Sequence, residues 1–485
     1  MKRFSTHKTR WDRPLKEQYD AVVIGAGIGG MSSAIALAEK GASVLLVDKH
    51  IVPGGCCSAF YRRGYIFDAA VHNLAGGSRY TSFGRMLQRL GVEIEMYELD
   101  PVDTIVLPEK EVCLPALVTN MRKELSAHFP HEKEGIKSFF RTFQKLYRSL
   151  SRNLPEDQDL YTALMDKTFG DIVSDHIKDP ICQKIIGGQW PYLAVPPNKL
   201  AAIEGIITLG SYLIQGAYYP KGGMQALANT FLERFEALGG HTLLRCNAER
   251  IVYEENQIVG VELSKERFAR TKCVISNVDP TILFGLLGED SPLSPLQQEL
   301  KTMQPSPSAF LLYIGLDESA DLSSLPWGFY FQDNYESLDD WMFVSKPTLK
   351  DPSLAPNNGQ ILATMLGYGG PLGPNIDWKA QKAHAAERIL KRLEARSPGL
   401  RDHIVISATA SPSTIQRYTG NHHGHMYGWT SNTSHSGTRR PGYTTALPGL
   451  YLTGHWTRPG SGVPAVTLSG LQTADEALPF LETHT

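Results

Sequence analysis

The chain has 485 residues, of which 42% are hydrophobic and 20% charged, a composition typical of a soluble globular protein. This length exceeds what one compact core holds, so we expect two domains or one domain with a large insertion. The formal net charge of −2 gives no reason to expect a nucleic-acid partner. The six cysteines include no CxxC pair, which argues against a disulfide framework and favours free thiols in a reducing compartment.

The first twenty residues are basic but have no apolar core, so they do not resemble a secretory signal. We interpret them as a tail, with a weak contact to anionic lipid as the alternative. The longest uncharged stretch, 205–220, contains Ser, Thr, Gln and Gly and falls short of the roughly 20 apolar residues of a spanning helix. We therefore expect a cytoplasmic protein, or one that is peripheral on the cytoplasmic face of a membrane.

The first predicted elements form a βαβ unit. Residues 19–24 (YDAVVI) predict a buried strand, residues 31–40 a helix that ends before Gly41, and residues 43–47 (SVLLV) a second strand. A strand, a helix and a strand in such close succession predict a parallel sheet.

The pattern changes over residues 101–211, where amphipathic stretches such as 138–150 (SFFRTFQKLYRSL) predict helices. A helix at 224–238 follows the YPKGG turn at 219–223, and short strands are predicted at 242–245, 250–253, 258–263 and 272–276. Alternating runs predict an antiparallel sheet in a second domain, at 309–316, 328–332, 341–344, 360–366 and 403–408. The last block, 449–476, returns to a strand, a glycine-rich turn and a helix.

The loop between the first strand and helix matches GxGxxG at Gly25-Ala26-Gly27-Ile28-Gly29-Gly30. Gly25 permits a tight turn, Gly27 lets the backbone approach a pyrophosphate, and Gly30 allows the helix to pack closely on the strand. The helix N-terminus offers N–H groups to phosphates. Asp48 ends the second strand, where a carboxylate accepts hydrogen bonds from ribose hydroxyls. The alternative is a glycine-rich turn that binds no nucleotide.

A second glycine turn, PGGCC at 53–57, follows Asp48. The stretches DAVVIGAGIGGMSSAIALAEKG and VLLVDKHIVPGG resemble the flavin amine oxidase and phytoene desaturase superfamily. Four further segments are similar to its carotenoid desaturase, carotenoid isomerase and retinol saturase branch: 64–68 (GYIFD), 219–228 (YPKGGMQALA), 273–280 (CVISNVDP) and 447–470 (LPGLYLTGHWTRPGSGVPAVTLSG). The resemblance covers nearly the whole chain.

The resemblance implies an α/β fold, with a discontinuous Rossmann-like FAD-binding domain and an inserted α+β substrate domain built on an antiparallel sheet. We place the FAD-binding domain at 18–105, 215–290 and 441–485, and the substrate domain at 106–214 and 291–440. The residues that the resemblance assigns to FAD are Gly25, Ala26, Gly27, Ile28, Gly29, Gly30, Asp48, Lys49, Gly55, Cys56, Ser58, Ala248, Gly454, His455, Gly462, Val463, Pro464 and Val466. A helix N-terminus at 462–466 that faces the flavin would stabilise its reduced, negatively charged form.

The chain departs from the family pattern at two positions. The family usually has an acid where this chain has His455, and often an arginine where it has Cys56-Cys57. A neutral His455 could replace the acid, whereas a protonated one would shift the flavin potential. With Cys56 in place of arginine, the phosphates depend on backbone groups and on donors such as Ser58.

Other candidate residues leave alternatives open. HHGH at 422–425, with His435, suggests a metal site, but no Cys, Asp or Glu stands at ligand spacing, so we expect no metal and favour a loop near substrate or flavin. His72, which the resemblance places beside the flavin, could transfer protons or serve structure. Cys56-Cys57 is either a redox pair or, as we favour, a packing feature. Arg458 either steers an anionic group or pairs with an acid. We assign no catalytic residue.

The resemblance implies hydride transfer at flavin N5 to or from a polyene or isoprenoid lipid, by a desaturase, an isomerase or a saturase. No second GxGxxG is visible for NAD(P), so we expect a quinone or oxygen as electron acceptor. Two alternatives remain, an oxidase of amines or other small substrates and a prenyl-lipid-binding protein of the Rab GDI type without redox chemistry. The intact phosphate loop with Asp48 argues against the latter.

Overall fold

A computed structural model describes residues 10–152, 157–288 and 291–484. The predicted N-terminal tail lies partly outside this range, at residues 1–9. Within these ranges the strands are β1 (Ala21–Ile24), β2 (Val44–Val47), β3 (Ala59–Arg62), β4 (Tyr65–Asp68), β5 (Leu74–Ala75), β6 (Met96–Leu99), β7 (Asp103–Val106), β8 (Glu111–Leu114), β9 (Ala217–Pro220), β10 (His241–Leu243), β11 (Ala248–Glu254), β12 (Gln257–Leu263), β13 (Arg267–Arg270), β14 (Cys273–Ser276), β15 (Ser308–Leu316), β16 (Gly328–Gln332), β17 (Trp341–Ser345), β18 (Gln360–Tyr368), β19 (Ile404–Ala410) and β20 (Leu450–Leu452).

The α-helices of the same ranges are α1 (Ile28–Glu39), α2 (Ser82–Arg89), α3 (Val118–His128), α4 (Lys133–Arg152), α5 (Gln158–Leu164), α6 (Phe169–Ser174), α7 (Pro180–Gly187), α8 (Ala202–Gln215), α9 (Met224–Ala237), α10 (Pro280–Leu287), α11 (Ser294–Thr302), α12 (Trp378–Arg396), α13 (Pro412–Thr419) and α14 (Val463–His484). Helix α1 begins three residues earlier than predicted, because the turn at Gly25–Gly27 already leads into helical backbone.

A five-stranded parallel sheet has the strand order β10-β2-β1-β14-β20. Its strands are continuous apolar runs, as expected when both faces are buried. Ala21 and Val23 point into the core that contains α1 and α14, whereas Val22 and Ile24 point into the core formed with α10 and the antiparallel strands β11–β13. The sheet is therefore the middle layer of three, and its carboxyl-terminal edge holds the loops after β1, β2, β14 and β20.

A seven-stranded mixed sheet has the order β19-β15-β18-β17-β16-β7-β8. Its neighbouring strands are antiparallel except for β7 and β16, which pair in parallel through Thr104 and Phe329. The sequence predicted a wholly antiparallel sheet, because the pattern revealed only the strands after residue 305. The β7–β8 hairpin is contributed by a distant part of the chain. Helix α12 covers one face of the sheet, and the helices α3–α8 lie towards the other.

The stretch 101–211 is mainly helical, as predicted, but begins with the β7–β8 hairpin. These strands have only four residues each, DTIV and EVCL, too few to produce a clear alternating signal. The predicted division at residue 105 falls inside β7. The short strands between β2 and β7 were also not predicted, among them the β3–β4 hairpin, which carries the GYIFD segment.

Candidate functional site

The loop after β1 depends on glycine at specific points. Gly25 has a φ of +104°, which an L side chain rarely adopts, and its N–H donates to the Val47 carbonyl at 2.8 Å. A Cβ on Gly27 would lie 2.8 Å from Nδ2 of Asn277, and one on Gly30 would overlap the Gly25 carbonyl oxygen. The loop therefore has no room for a side chain at Gly27 or Gly30.

Glycines from other segments meet this loop at the same edge of the sheet. Gly54 donates from its N–H to the Ala26 carbonyl at 2.8 Å, and a Cβ on Gly55 would lie 3.4 Å from Cα of Gly27. A Cβ on Gly29 would lie 3.1 Å from Cα of Gly454, which follows β20. The loops after β1, β2 and β20 thus form one backbone-lined cradle, to which we refer as the glycine cradle.

Asn277 occupies the centre of the glycine cradle and was not singled out from the sequence. It follows β14 directly, donates from its backbone N–H to the Ile24 carbonyl at 2.9 Å and from Nδ2 to the Gly25 carbonyl at 3.3 Å. A Cβ on Gly454 would overlap its Oδ1. The available signal was its position at the carboxyl end of a strand in the segment CVISNVDP, next to the strand that carries GxGxxG.

Asp48 lies at the end of β2 and binds the loop. Its Oδ2 accepts from the N–H of Ala26 and its Oδ1 from the N–H of His50, both at 2.7 Å. Burial raises the pKa of Asp48, and these two hydrogen bonds oppose the rise. The carboxylate therefore orders the loop itself, and the ribose contact stays a prediction.

The remaining predicted residues of the first half flank this edge. Exposed Lys49 donates from Nζ to the Arg417 carbonyl at 3.5 Å. Ala248 is buried at the start of β11, and the preceding chain contacts Asp48 through a hydrogen bond from the N–H of Cys246 to the Asp48 carbonyl at 2.8 Å. Ser58 follows the turn Gly55–Cys57 and accepts from the N–H of Ala69 at its carbonyl.

The adjacent cysteines are free thiols. Burial raises the pKa of Cys56 to about 11, so at neutral pH this thiol is protonated and a poor nucleophile. Cys57 is buried and donates from Sγ to the Met224 carbonyl at 3.7 Å. This arrangement fits the packing role that we favoured for the pair over a redox role.

The C-terminal segment completes the cradle. Gly462 has a φ of +107° and leads into α14, and its carbonyl accepts from the N–H of Val466 at 2.9 Å. Val463 is the first helical residue, followed by Pro464, a favoured residue in a first helical turn. Further along α14, Gly470 packs so closely on α1 that a Cβ would overlap the Gly29 carbonyl. The two helices are thus fixed together near the cradle.

His455 directly follows Gly454 and is neutral. Burial lowers its pKa to about 4, and Nε2 has no hydrogen-bond partner among the described residues. The ring lies 5.3 Å from that of Trp456 between centroids. Of the two states considered for this departure from the family pattern, the structure favours the uncharged imidazole.

The histidines of HHGH contact protein groups. His422 Nδ1 lies 2.7 Å from Oδ2 of Asp279, and Nδ1 of His425 bonds the Ser306 carbonyl. The part of the chain that the structure describes contains no group of three or more His, Cys, Asp or Glu side chains arranged to hold a metal ion. The guanidinium of Arg458 lies over the ring of Tyr443, 5.9 Å from its centroid, with no acidic partner within the described ranges.

A narrow cavity lies between the segment that follows β4 and the seven-stranded sheet; we call it the sheet cavity. Its lining is predominantly apolar: Asp68, Ala70, Val71, His72, Tyr219, Leu311, Tyr313, Phe343, Ser345, Pro347, Ala363, Thr364 and Met365. Burial raises the pKa of Asp68 to about 6, although this carboxyl accepts from Tyr219 Oη at 2.5 Å and from the Met224 N–H at 2.8 Å. The cavity wall thus combines apolar side chains with one carboxyl group and one imidazole.

The cradle fits a dinucleotide on structural grounds. Close approach of backbone to a diphosphate needs glycine where a Cβ would intrude, and the loop ends at the N-terminus of a 12-residue helix. The acid that follows β2 lies beside this loop, with Oδ2 bonded to the N–H of Ala26. The residues present therefore match the requirements of a dinucleotide cofactor.

Comparison with known proteins gives a consistent result. The model of the family described as flavin containing amine oxidoreductase matches residues 28–478. The chain is 29% identical to prolycopene isomerase 2, chloroplastic, from an Oncidium hybrid cultivar, over 94% of this chain and 83% of that protein. It is 26% identical to a lycopene-forming phytoene desaturase from Pantoea ananas, over 93% and 97%. A solved oxidoreductase from Methanosarcina mazei has the same fold, with a TM-score of 0.69 and 18% identity over 94% of this chain and 99% of that one.

Proposed function

Because the chain belongs to the flavin containing amine oxidoreductase family, we propose that it is an FAD-dependent oxidoreductase that acts on a long apolar polyene or isoprenoid lipid. That it is a flavin-dependent oxidoreductase with FAD as cofactor follows from the family itself. The substrate class rests on one observation: relatives named prolycopene isomerase and phytoene desaturase align with more than nine-tenths of the chain. The apolar lining of the sheet cavity agrees with such a substrate.

We propose that the Rossmann-like FAD-binding domain is built on the five-stranded sheet, and that the inserted substrate domain is built on the seven-stranded one. The glycine cradle would hold the diphosphate through Gly25–Gly30, Gly55 and Cys56, with Ser58 beside them. Asp48 and Lys49 would contact the ribose side, and Ala248 the adenine. The segments Gly454–His455 and Gly462–Val466 would lie along the ribityl chain and the flavin.

Bound FAD supplies a two-electron carrier that exchanges hydride with the substrate at N5. The protein would orient the polyene against the side chains of the sheet cavity and keep water away from it. Net desaturation, saturation and redox-neutral isomerisation all use this arrangement, and we propose this group of reactions without choosing among them. We also propose a quinone or oxygen as electron acceptor, since the sequence has no second GxGxxG.

We propose further that the protein binds the surface of an anionic membrane through a groove beside α4. The groove is lined by Arg122, Lys137, Arg141, Gln144, Lys145, Arg148, Ser149, Asp157 and Leu160. Lys137 has an ion-pair contact to Glu134 at 3.7 Å, whereas the other four basic residues have no acidic partner in the described ranges. In those ranges no helix is both long and apolar enough to cross a bilayer. Unpaired cations near a surface favour anionic lipid by about 1 kcal/mol each.

The flavin reaction is tested by spectroscopy. The purified protein should have a flavin spectrum, or gain one with FAD, and a carotenoid or retinoid extract should change that spectrum under anaerobic conditions. Protein that stays colourless after reconstitution contradicts the cofactor, and a spectrum bleached by amines but not by polyenes contradicts the substrate class. Mass spectrometry of lipids from a polyene-making host, with and without the gene, then distinguishes loss of two hydrogens, gain of two, and unchanged mass.

Membrane contact is tested by sedimentation with vesicles. Wild type should bind phosphatidylglycerol-containing vesicles but not pure phosphatidylcholine, and salt should weaken the binding. The double variant Arg141→Glu/Lys145→Glu should bind at least about tenfold less, since it changes the charge by −4 at the groove. Lys379→Glu/Lys391→Glu, which makes the same charge change on exposed positions of α12, is the matched control. Equal loss in both variants would contradict a specific surface.

A further inference from the structure

The segment after β4 connects the glycine cradle to the sheet cavity. The N–H of Ala69 donates to the Ser58 carbonyl at 2.9 Å, and that of Val71 to the Cys56 carbonyl at 3.4 Å. These bonds attach the segment to the turn Gly55–Cys57. The next residue, His72, lines the sheet cavity. His72 therefore contributes an imidazole to the cavity wall at a point of the chain close to the cradle.

The imidazole of His72 presents a nitrogen without a partner. The ring forms a hydrogen bond with the backbone of Ala70, whereas Nε2 is buried and has no hydrogen-bond partner within the described ranges. Burial lowers the pKa of His72 to about 4, so the ring is neutral near pH 7 and Nε2 carries a free lone pair. A buried nitrogen is costly to leave unpaired unless a ligand uses it.

Two aromatic rings contact the imidazole. The ring of Phe343 from β17 lies 3.9 Å away between centroids, and that of Tyr192 lies 5.5 Å away at an interplanar angle of 24°. These contacts leave His72 little freedom to turn. Phe343 also lines the sheet cavity, so the held ring stands beside the space that a polyene would enter.

A buried polar network fixes Tyr192 and the residue after His72. Tyr192 Oη donates to Oδ2 of Asp103 at 3.1 Å and accepts from Nδ2 of Asn73 at 2.6 Å. The other amide atom of Asn73, Oδ1, accepts from Tyr212 Oη at 3.1 Å. Gln189 donates to the same oxygen of Asp103 at 2.5 Å. The dipeptide His72-Asn73 is therefore held from the side away from the cradle.

We propose that His72 is the proton-transferring residue of this site, and that Tyr192, Asn73 and Asp103 are positioning residues that aim its Nε2 into the sheet cavity. This assignment rests on the proposed function. In the dehydrogenation direction two C–H bonds of the lipid break. One hydrogen leaves with its electron pair to the flavin, which is reduced by two electrons, and the other leaves as a proton that forms a bond to Nε2. The electron pair left behind forms the new C=C bond. In the opposite direction the imidazolium returns the proton to carbon.

The chemistry suits a weak base. Loss of hydride from an allylic carbon leaves a delocalised cation, and the proton beside such a cation is strongly acidic. The imidazole is neutral in its resting state because it is a weak base. It still accepts this proton readily, because the proton is strongly acidic. The cavity also contains the carboxyl group of Asp68. Both of its oxygens accept hydrogen bonds, from Tyr219 and Met224, so it is less available than His72 to accept a proton from the substrate.

The test uses holoenzyme and a polyene that the wild type turns over, with the spectral change of flavin followed in single turnover. His72→Gln should react about 10²- to 10⁴-fold more slowly, the range expected for loss of an acid–base group. His72→Ala should be similarly slow and should regain at least tenfold in rate with added imidazole. His241→Gln is the matched control, because burial also lowers the pKa of His241 to about 4 and its Nε2 is likewise unpartnered, yet it lies at the start of β10.

Two further measurements separate chemistry from folding. Flavin affinity and melting temperature should match wild type in His72→Gln, and ¹⁵N NMR of wild type should show a neutral imidazole with the proton on Nδ1 before any substrate is added. Tyr192→Phe should slow turnover less than His72→Gln, and imidazole should not restore its rate.

The outcomes are distinct. If wild type is active and His72→Gln is equally active, the assignment of His72 is wrong while the proposed function stands. The same conclusion follows if imidazole fails to restore the rate of His72→Ala. An NMR spectrum with Nε2 protonated also overturns it. Wild-type protein that holds FAD but reacts with no polyene overturns the proposed function, and this assignment with it.

Discussion

The glycine cradle and the wall of the sheet cavity are built in opposite ways. The cradle consists largely of backbone: Gly27, Gly30, Gly54 and Gly454 lie so close to their neighbours that a Cβ at any of them would collide. The cavity wall consists of side chains from separate elements, His72 and Phe343 among them. Tyr192 and Asp103 do not line the cavity but are linked to His72 by a ring contact and a hydrogen bond. Steric exclusion makes the cradle intolerant of almost any substitution, whereas the wall depends on particular functional groups.

This difference predicts different responses to mutation. A Cβ added to the cradle should remove cofactor binding and folding together, because the backbone must shift. An isosteric change in the wall should leave the fold intact and alter chemistry or pH dependence. Variants of both regions, each with a matched control, test this contrast.

Gly30→Ala should have the largest effect. The new Cβ would overlap the Gly25 carbonyl oxygen, so α1 cannot keep its place on β1. We expect little folded protein and no flavin in what can be purified, as measured by yield and visible spectrum. Gly285→Ala is the control: it lies exposed within α10, has open space around it, and should gain about 0.5–1 kcal/mol of stability. A flavin-loaded Gly30→Ala would contradict the steric account of the cradle.

Asp48→Ala should weaken FAD binding by about tenfold or more, which corresponds to about 1.4 kcal/mol. The variant leaves the N–H groups of Ala26 and His50 without their acceptors and removes the predicted ribose contact. A fluorescence titration with FAD measures the change. Asp20→Ala removes a comparable bond, from the Ser43 N–H at 2.6 Å, at the opposite end of β1, and should lower stability without changing FAD affinity. Equal affinities in both variants would show that Asp48 serves the fold alone.

Asp103→Asn should change the pH dependence of stability. Burial raises the pKa of Asp103 to about 7, above the roughly 3.9 of an unfolded aspartate. Between these values the folded state binds more protons than the unfolded state, so this group lowers stability as pH rises from about 4 to 7. Asp103→Asn should not lose stability in this way over that pH range. The free energy of unfolding of the variant minus that of wild type should therefore be larger at pH 8 than at pH 5. Glu318→Gln, at an exposed position, should keep the wild-type profile. Parallel profiles for wild type and Asp103→Asn would contradict the prediction.

The predictable parts of the fold have strong local signals. We predicted β1, α1 and β2 from the run AVVI, the motif GAGIGG and the run VLLV. Buried parallel strands and a glycine turn produce recognisable patterns within about thirty residues of sequence. The β7–β8 hairpin had no such signal. Its four-residue strands gain their hydrogen bonds from each other and from β16, more than 200 residues later in the chain. Pairing over such distances depends on the whole fold.

The same contrast holds for the candidate site. The carboxyl ends of β1, β2 and β20 carry glycines or an acid in recognisable segments, so those positions were predicted. Asn277 has no motif of its own, and its contact with Gly25 follows from the adjacency of β14 and β1. The state of His455 was undecided in sequence because charge depends on burial, which lowers its pKa to about 4.

By itself the sequence determined the nucleotide loop, the acid after β2, the family resemblance and the general order of elements. These features are local, since glycine sterics and apolar periodicity act over a few residues. Only the tertiary structure decided that Asn277 centres the cradle, that β7 joins the second sheet, and that His72 has an unpartnered Nε2 beside the sheet cavity. Those facts depend on which distant segments pack together and exclude water, and no spacing along the chain encodes them.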